Sequence, residues 1–143
     1  MDLEQIKQFL PHRTPFLWLD SVSGLTAEKI IAHKHLSEDL DVFQGHYPHF
    51  PVMPGVLMCE ACFQAGALLI AQIEPVEEGE VPVVTRVNNV KFRRMVRPDE
   101  TIDIEVALTE RLANAFFMTG KVSVAGQTAA RLEFAATATD AVK

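Results

Sequence analysis

Between Val56 and Ile73 the chain reads VLMCEACFQAGALLIAQI, and its apolar residues surround every side of a helical wheel instead of gathering in one stripe. A helix of that kind must be enclosed. Its length lies near the lower limit for crossing a bilayer, and Glu60, Gln64 and Gln72 interrupt it, which predicts a buried core helix and no membrane span. With 143 residues, 48% of them hydrophobic, the chain can build one such core but not two, so a single domain over 1–143 is expected.

The material that encloses the helix is visible as period-two alternation. Val90/Phe92, Ile102/Ile104/Val106/Leu108, Phe116/Met118/Val122/Val124 and Ala130/Leu132/Phe134/Ala136 each place apolar residues on one side of an extended segment. Ala125-Gly126-Gln127 predicts a hairpin turn between the last two, and Arg97-Pro98-Asp99 a turn before the first long strand. Upstream, Asp2 caps a short helix with Gln5 answering three residues later, and Pro11 stops it. Phe16 to Val22 and Lys29 to Leu36 read as strands hinged at Ser23-Gly24. From Phe43 to Gly55 the sequence FQGHYPHFPVMPG holds three prolines and two glycines, which predicts an irregular, rigid loop. Glu74 to Glu80 is an acidic linker. One all-round apolar helix and about six half-buried strands define an α+β chain in which an antiparallel sheet wraps round a long central helix, the hot-dog fold. Six strands leave one side of the helix for a second copy of the chain, so a homodimer is expected.

Charge and cysteine usage narrow the partners. Thirteen Lys and Arg against nineteen Asp and Glu give a net charge of −6, opposite to what a phosphate backbone requires, so no nucleic acid is expected. The two cysteines lie in the apolar run and are too few to staple a secreted fold. The N-terminal segment is polar and amphipathic, without the pattern of a secretory signal. A cytoplasmic address follows as the expectation.

Three features could carry chemistry. Glu60 and Gln64 stand at i and i+4 on the otherwise apolar helix, where a carboxyl either holds its proton and acts as a general acid or escapes to a subunit seam and pairs with an arginine. His46 follows Gly45 in the proline-fixed loop, a place for a base working near neutral pH. That loop delivers the chain to the helix N-terminus, whose free amides, beginning with Gly55, could hold a developing oxyanion. Two other patterns point elsewhere. His46-x-x-His49 with Glu60 has the residue types of a metal site, but Pro48 between the rings is no helical setting for it. Cys59-x-x-Cys62 lies inside the helix instead of opening it, which predicts small core residues.

FQGHYPHFPVMPGVLMCEACFQ resembles the signature FxGHFPGxPxxPGVLxxEAxAQ of the FabZ-type 3-hydroxyacyl-acyl-carrier-protein dehydratases, with the same fourteen-residue separation of His46 and Glu60. LPHRTPFLWLD is similar to that family's LPHRYPFLLVD, and VKFRRMVRPDE to its xxFRxPVxPGD. The resemblance implies that His46 removes the α-proton of a 3-hydroxyacyl thioester. Glu60 of the partner subunit would protonate the departing hydroxyl, the Gly55 amide would meet the thioester oxygen, and Gln64 would orient Glu60. It implies no metal, no cofactor, and dimers that associate as trimers. His49-Phe50 replaces the family's Gly-x, Met95 its Pro, and Asp99-Glu100 its Gly-Asp, while Thr14 and Trp18 are unusual at their positions. Substrate choice is thus expected to depart more than reaction type.

Lys91, Arg93, Arg94 and Arg97 form the one dense basic cluster of an acidic chain. An acyl-carrier protein is acidic, so with the resemblance the cluster is expected to be its docking patch. Competing functions are a hot-dog thioesterase, which does not need His46, and a non-catalytic acyl-binding subunit, which would tolerate losing either His46 or Glu60.

Overall fold

A computed structural model describes residues 1–74 and 80–140. Six strands, β1 (Ser21–Leu25), β2 (Lys29–His35), β3 (Glu80–Phe92), β4 (Thr101–Leu112), β5 (Ala115–Val124) and β6 (Gln127–Asp140), form one sheet in the order β1-β2-β4-β5-β6-β3. Every pairing is antiparallel. Among the described residues three helices accompany it: α1 (Leu3–Phe9), α2 (Asp41–Gly45) and the nineteen-residue α3 (Gly55–Ile73), around which the sheet curls. The middle of the expected acidic linker, 75–79, lies outside the described residues.

The α1 cap is the expected one: Asp2 accepts from the Gln5 amide while the Gln5 side chain accepts from the Asp2 amide, each at 2.9 Å. The expected hairpin at 125–127 also forms, with Ala125 and Gly126 both at positive φ as a two-residue primed turn requires. Two local expectations are corrected. The first strand begins at Ser21, not Phe16, and Ser23-Gly24 is no hinge: it lies inside β1, where the register slips between Val22 and Gly24. The turn is made instead by Thr26, whose hydroxyl accepts from the Glu28 and Lys29 amides at 3.2 and 3.1 Å. The proline-rich loop also opens with a helical turn, α2, which carries Phe43 into the core and ends at His46.

α3 packs on the sheet closely enough to dictate glycines. A Cβ at Gly120 of β5 would lie 2.9 Å from Cys62 Sγ, and one at Gly66 would lie 3.0 Å from the Phe134 ring. Leu68, Leu69 and Ile70 of α3 meet Ile30, Ile102, Ile104 and Met118 in one continuous core; fully burying such a side chain stabilises the fold by about 1.5–3 kcal/mol. The enclosure is incomplete on one side. Val56, Glu60, Phe63, Ala67 and Ala71 recur at helical spacing, and the sheet leaves all five partly or fully exposed. Val83, Val87, Val90 and Phe92 of the edge strand β3 are exposed as well, the last two against the expectation of a half-buried strand. Neither face is covered by the described residues.

Candidate active site

His46 sits where α2 ends, its amide donating to the Val42 carbonyl at 3.1 Å. Tyr47 then takes a left-handed φ of 55°, which reverses the chain so that the Phe50 amide reaches the Tyr47 carbonyl at 2.8 Å. This turn brings the Val52 carbonyl to 2.8 Å from His46 Nδ1. A carbonyl only accepts, so Nδ1 carries the hydrogen and Nε2 of the neutral ring holds the free lone pair. The Met53 amide, bonded to the Val96 carbonyl at 2.8 Å, ties the end of the loop to the strip that follows β3.

The same loop enters α3 through Pro54 and Gly55, so the histidine and the helix N-terminus come together as expected. His46, Val52, Gly55, Met58, Phe92 and Arg93 are among the walls of one open cavity of about 650 Å³. Glycine at 55 permits a close approach, since a Cβ there would lie 2.7 Å from the Phe92 ring and require that exposed ring to turn away. The α3 N-terminus borders the cavity at Gly55 and Val56, with no side chain at position 55. An adjoining cavity of about 570 Å³ is walled by Tyr47, Pro48, His49, Phe50, Val52 and Met95, so the two bulky rings that replace the family's glycine shape its apolar wall.

Glu60 does not border the His46 cavity of its own chain. It lies on the uncovered stripe of α3, its side chain 23% exposed, and is neither sealed in the core nor paired with an arginine. Gln64, fully buried, donates to Glu60 Oε2 at 3.0 Å. Its amide orientation is fixed from the other side, because its oxygen accepts from the Trp18 amide at 2.8 Å and its nitrogen also donates to the Phe16 carbonyl at 2.8 Å. The expected contact between Gln64 and Glu60 is thus present. His12, which the sequence did not single out, places Nε2 3.8 Å from the same Oε2. Its one signal was its place inside the LPHR segment.

The basic cluster divides. Arg94 is committed internally, donating to both carboxylate oxygens of Glu100 at 3.1 and 2.8 Å, to the Met95 carbonyl and to Gln127. Its guanidinium holds the Glu100 carboxyl below the usual carboxylate range. Arg94 is therefore a strut and not a free docking cation. Arg97 lies 4.1 Å above the Phe50 ring, and Lys91 and Arg93 are exposed. The family's glycine at position 99 also finds its reason, since Asp99 adopts φ 66°, a conformation aspartate tolerates better than most residues.

Cys59 and Cys62 are free, buried thiols that burial pushes up from their ordinary pKa, in keeping with small core residues. Among the described residues no three His, Cys, Asp or Glu side chains gather as metal ligands. Ser23 Oγ, His33 and Asp103 line up at 2.6 and 2.7 Å across β1, β2 and β4, but they border neither cavity beside His46 and serve as a cross-strand network on the outer face of the sheet.

An antiparallel sheet curled round one apolar helix, with a histidine loop feeding the helix N-terminus, defines a hot-dog-fold protein. Solved structures share the architecture: a chain of the dehydratase heterocomplex ApeI:P from Xenorhabdus doucetiae (TM-score 0.78, 15% identity, 96% of this chain and 92% of that one) and a thioesterase from Haemophilus influenzae (TM-score 0.64, 14% identity, 86% and 80%). Within that fold the chain belongs to the FabA-like family, whose domain matches residues 10–133. Similar curated proteins are the 3-hydroxyacyl-acyl-carrier-protein dehydratases FabZ of Petrotoga mobilis (37% identical over 93% of this chain and 94% of that protein) and Erythrobacter litoralis (38%, 97% and 93%).

Proposed function

We propose that this chain dehydrates 3-hydroxyacyl thioesters carried on acyl-carrier protein to trans-2-enoyl thioesters, in fatty-acid or related acyl-chain synthesis. The observation that carries the reading is His46: its Nδ1–H is spent on the Val52 carbonyl, leaving Nε2 as the base in a cavity that also holds the α3 N-terminus. Nε2 takes the α-proton, and the charge that develops on the thioester oxygen is met by the Gly55 amide and the helix dipole. The Cα–Cβ double bond forms as the C3–O bond breaks, and a protonated Glu60 of the partner subunit supplies the proton with which the hydroxyl departs as water. Gln64 donates to Oε2, so the acid proton belongs on Oε1.

The cross-subunit assignment is supported by Glu60 standing off the His46 cavity of its own chain, on the uncovered stripe of α3, and by the exposed valines of β3. A two-fold dimer that covers both is the form in which the chain acts, in the cytoplasm. Association of such dimers in threes rests on the family resemblance. Lys91, Arg93 and Arg97 steer the acidic carrier protein to the cavity mouth, with Arg94 bracing the strip beneath them.

Mixed dimers test the reading. His46→Ala and Glu60→Gln chains should each be inactive alone, whereas randomly mixed two-fold dimers should recover roughly a quarter of wild-type activity per chain. No recovery in proven mixed dimers would place both groups in one subunit. Following enoyl absorbance and free thiol separately distinguishes dehydration from thioester hydrolysis.

A further inference from the structure

The Glu60 carboxyl is approached from two sides on one oxygen. Gln64 Nε2 lies 3.0 Å from Oε2 and His12 Nε2 lies 3.8 Å from it. The His12 ring is stacked on Phe16, 6.4 Å between centroids and 23° between planes, so its orientation is set by packing. Its other nitrogen, Nδ1, is buried and meets no hydrogen-bond partner among the described residues. The imidazole can therefore act polarly only through Nε2, the nitrogen that faces Glu60. The separation is too long for a direct hydrogen bond and short enough for one bridging water or a small side-chain rotation to complete it.

From this we infer that His12 is a positioning residue for Glu60, which rests on the acid role proposed for that carboxyl. His12 and Gln64 act jointly: they present two N–H groups to Oε2, keep that oxygen the acceptor, and leave Oε1 to hold the proton and meet the substrate hydroxyl. Both restraints come through one segment, because Gln64 is itself held by the backbone of Phe16 and Trp18. The 12–18 segment is thus the mount of the acid group, although it contributes nothing to the His46 cavity. Arg13, the next residue along, is occupied with the Leu10, His12 and Lys7 carbonyls.

Two variants separate positioning from packing. His12→Phe keeps an aromatic ring to stack on Phe16 and removes the nitrogen; His12→Gln gives up the ring and restores an N–H donor at similar reach. Loss of such a supporting contact should lower kcat of His12→Phe by about 10–100-fold, with KM of the 3-hydroxyacyl thioester nearly unchanged. His12→Gln should regain most of that kcat even if its thermal midpoint is the lower of the two. Wild-type kcat in His12→Phe overturns the inference, as does a loss that His12→Gln fails to rescue. Glu60→Gln measured alongside identifies which claim has failed. If Glu60→Gln is active, the acid role and this inference fall together; if Glu60→Gln is inactive while His12→Phe is not impaired, only the role of His12 falls.

Discussion

Replacing Gln64 by methionine should cost the protein a measurable part of its stability as well as its turnover. Gln64 is the one fully buried polar side chain among the described residues, and it satisfies two backbone groups of the incoming segment, the Trp18 amide and the Phe16 carbonyl. Methionine has nearly the same length and is flexible, so most of the volume stays filled and no large cavity opens. What changes is that two buried backbone groups lose their partners, at about 1–3 kcal/mol each, or roughly 2–6 kcal/mol together. Removing a glutamine that itself had to be desolvated offsets part of this, which places the expected loss near about 3 kcal/mol. For a chain of this size that corresponds to a fall in Tm of about 10 °C. Urea denaturation at one fixed protomer concentration is the assay, since association would otherwise shift the midpoint. Gln64→Glu supplies a pH-dependent companion. A carboxylate there would face the Phe16 carbonyl and Glu60, so its folded pKa should rise above the unfolded value of about 4.3, and its deficit against wild type should be small below that pH and grow as pH rises. A Gln64→Met loss under about 1 kcal/mol would mean that Trp18 and Phe16 find other partners and that Gln64 does not hold the segment.

Gly120→Ala should destabilise by about 1–3 kcal/mol because the new Cβ meets Cys62 Sγ in a packed interior, and adding Cys62→Ala should return part of the loss in the same denaturation assay. Because Arg94 lowers the Glu100 pKa, the pair contributes stability above the unfolded carboxylate pKa and loses it as pH falls through the lowered one; thermal midpoints of Glu100→Gln and wild type should differ at pH 7 and converge in acid. Arg93→Glu with Arg97→Glu should slow association with an acidic carrier protein strongly at low salt and weakly at high salt, while turnover of a small pantetheine thioester stays unchanged; equal losses with both substrates would end the docking assignment.

What the sequence made legible were features written locally. The Asp2 capping box, the all-round apolar α3 and the alternation along β4, β5 and β6 each depend on neighbours a few residues away, and each is present. The β1–β2 turn was misplaced because Ser23-Gly24 has turn composition but serves as a bulge, while a single threonine hydroxyl organises the actual reversal. Within the site, His46, Gly55 and the pairing of Glu60 with Gln64 were readable from spacing along one loop and one helix. The partners of Gln64 lie 46 and 48 residues away, and His12 reaches Glu60 across a comparable stretch, so no periodicity could announce them. Arg94 was grouped with its basic neighbours for the same reason: its commitment to Glu100 depends on how the 97–99 turn folds back.

The central helix also limits how a protein of this design can diversify. Gly55 and Glu60 are five residues apart on one rigid rod, about 7.5 Å along its axis. In a two-fold dimer the first would serve one reaction centre and the second its twin, so a substitution that tilts α3 would detune both at once. Inherited variation in acyl preference has to accumulate off the rod, in the 46–53 loop and the 92–97 strip. Those stretches hold three of this chain's departures from the family pattern, His49, Phe50 and Met95.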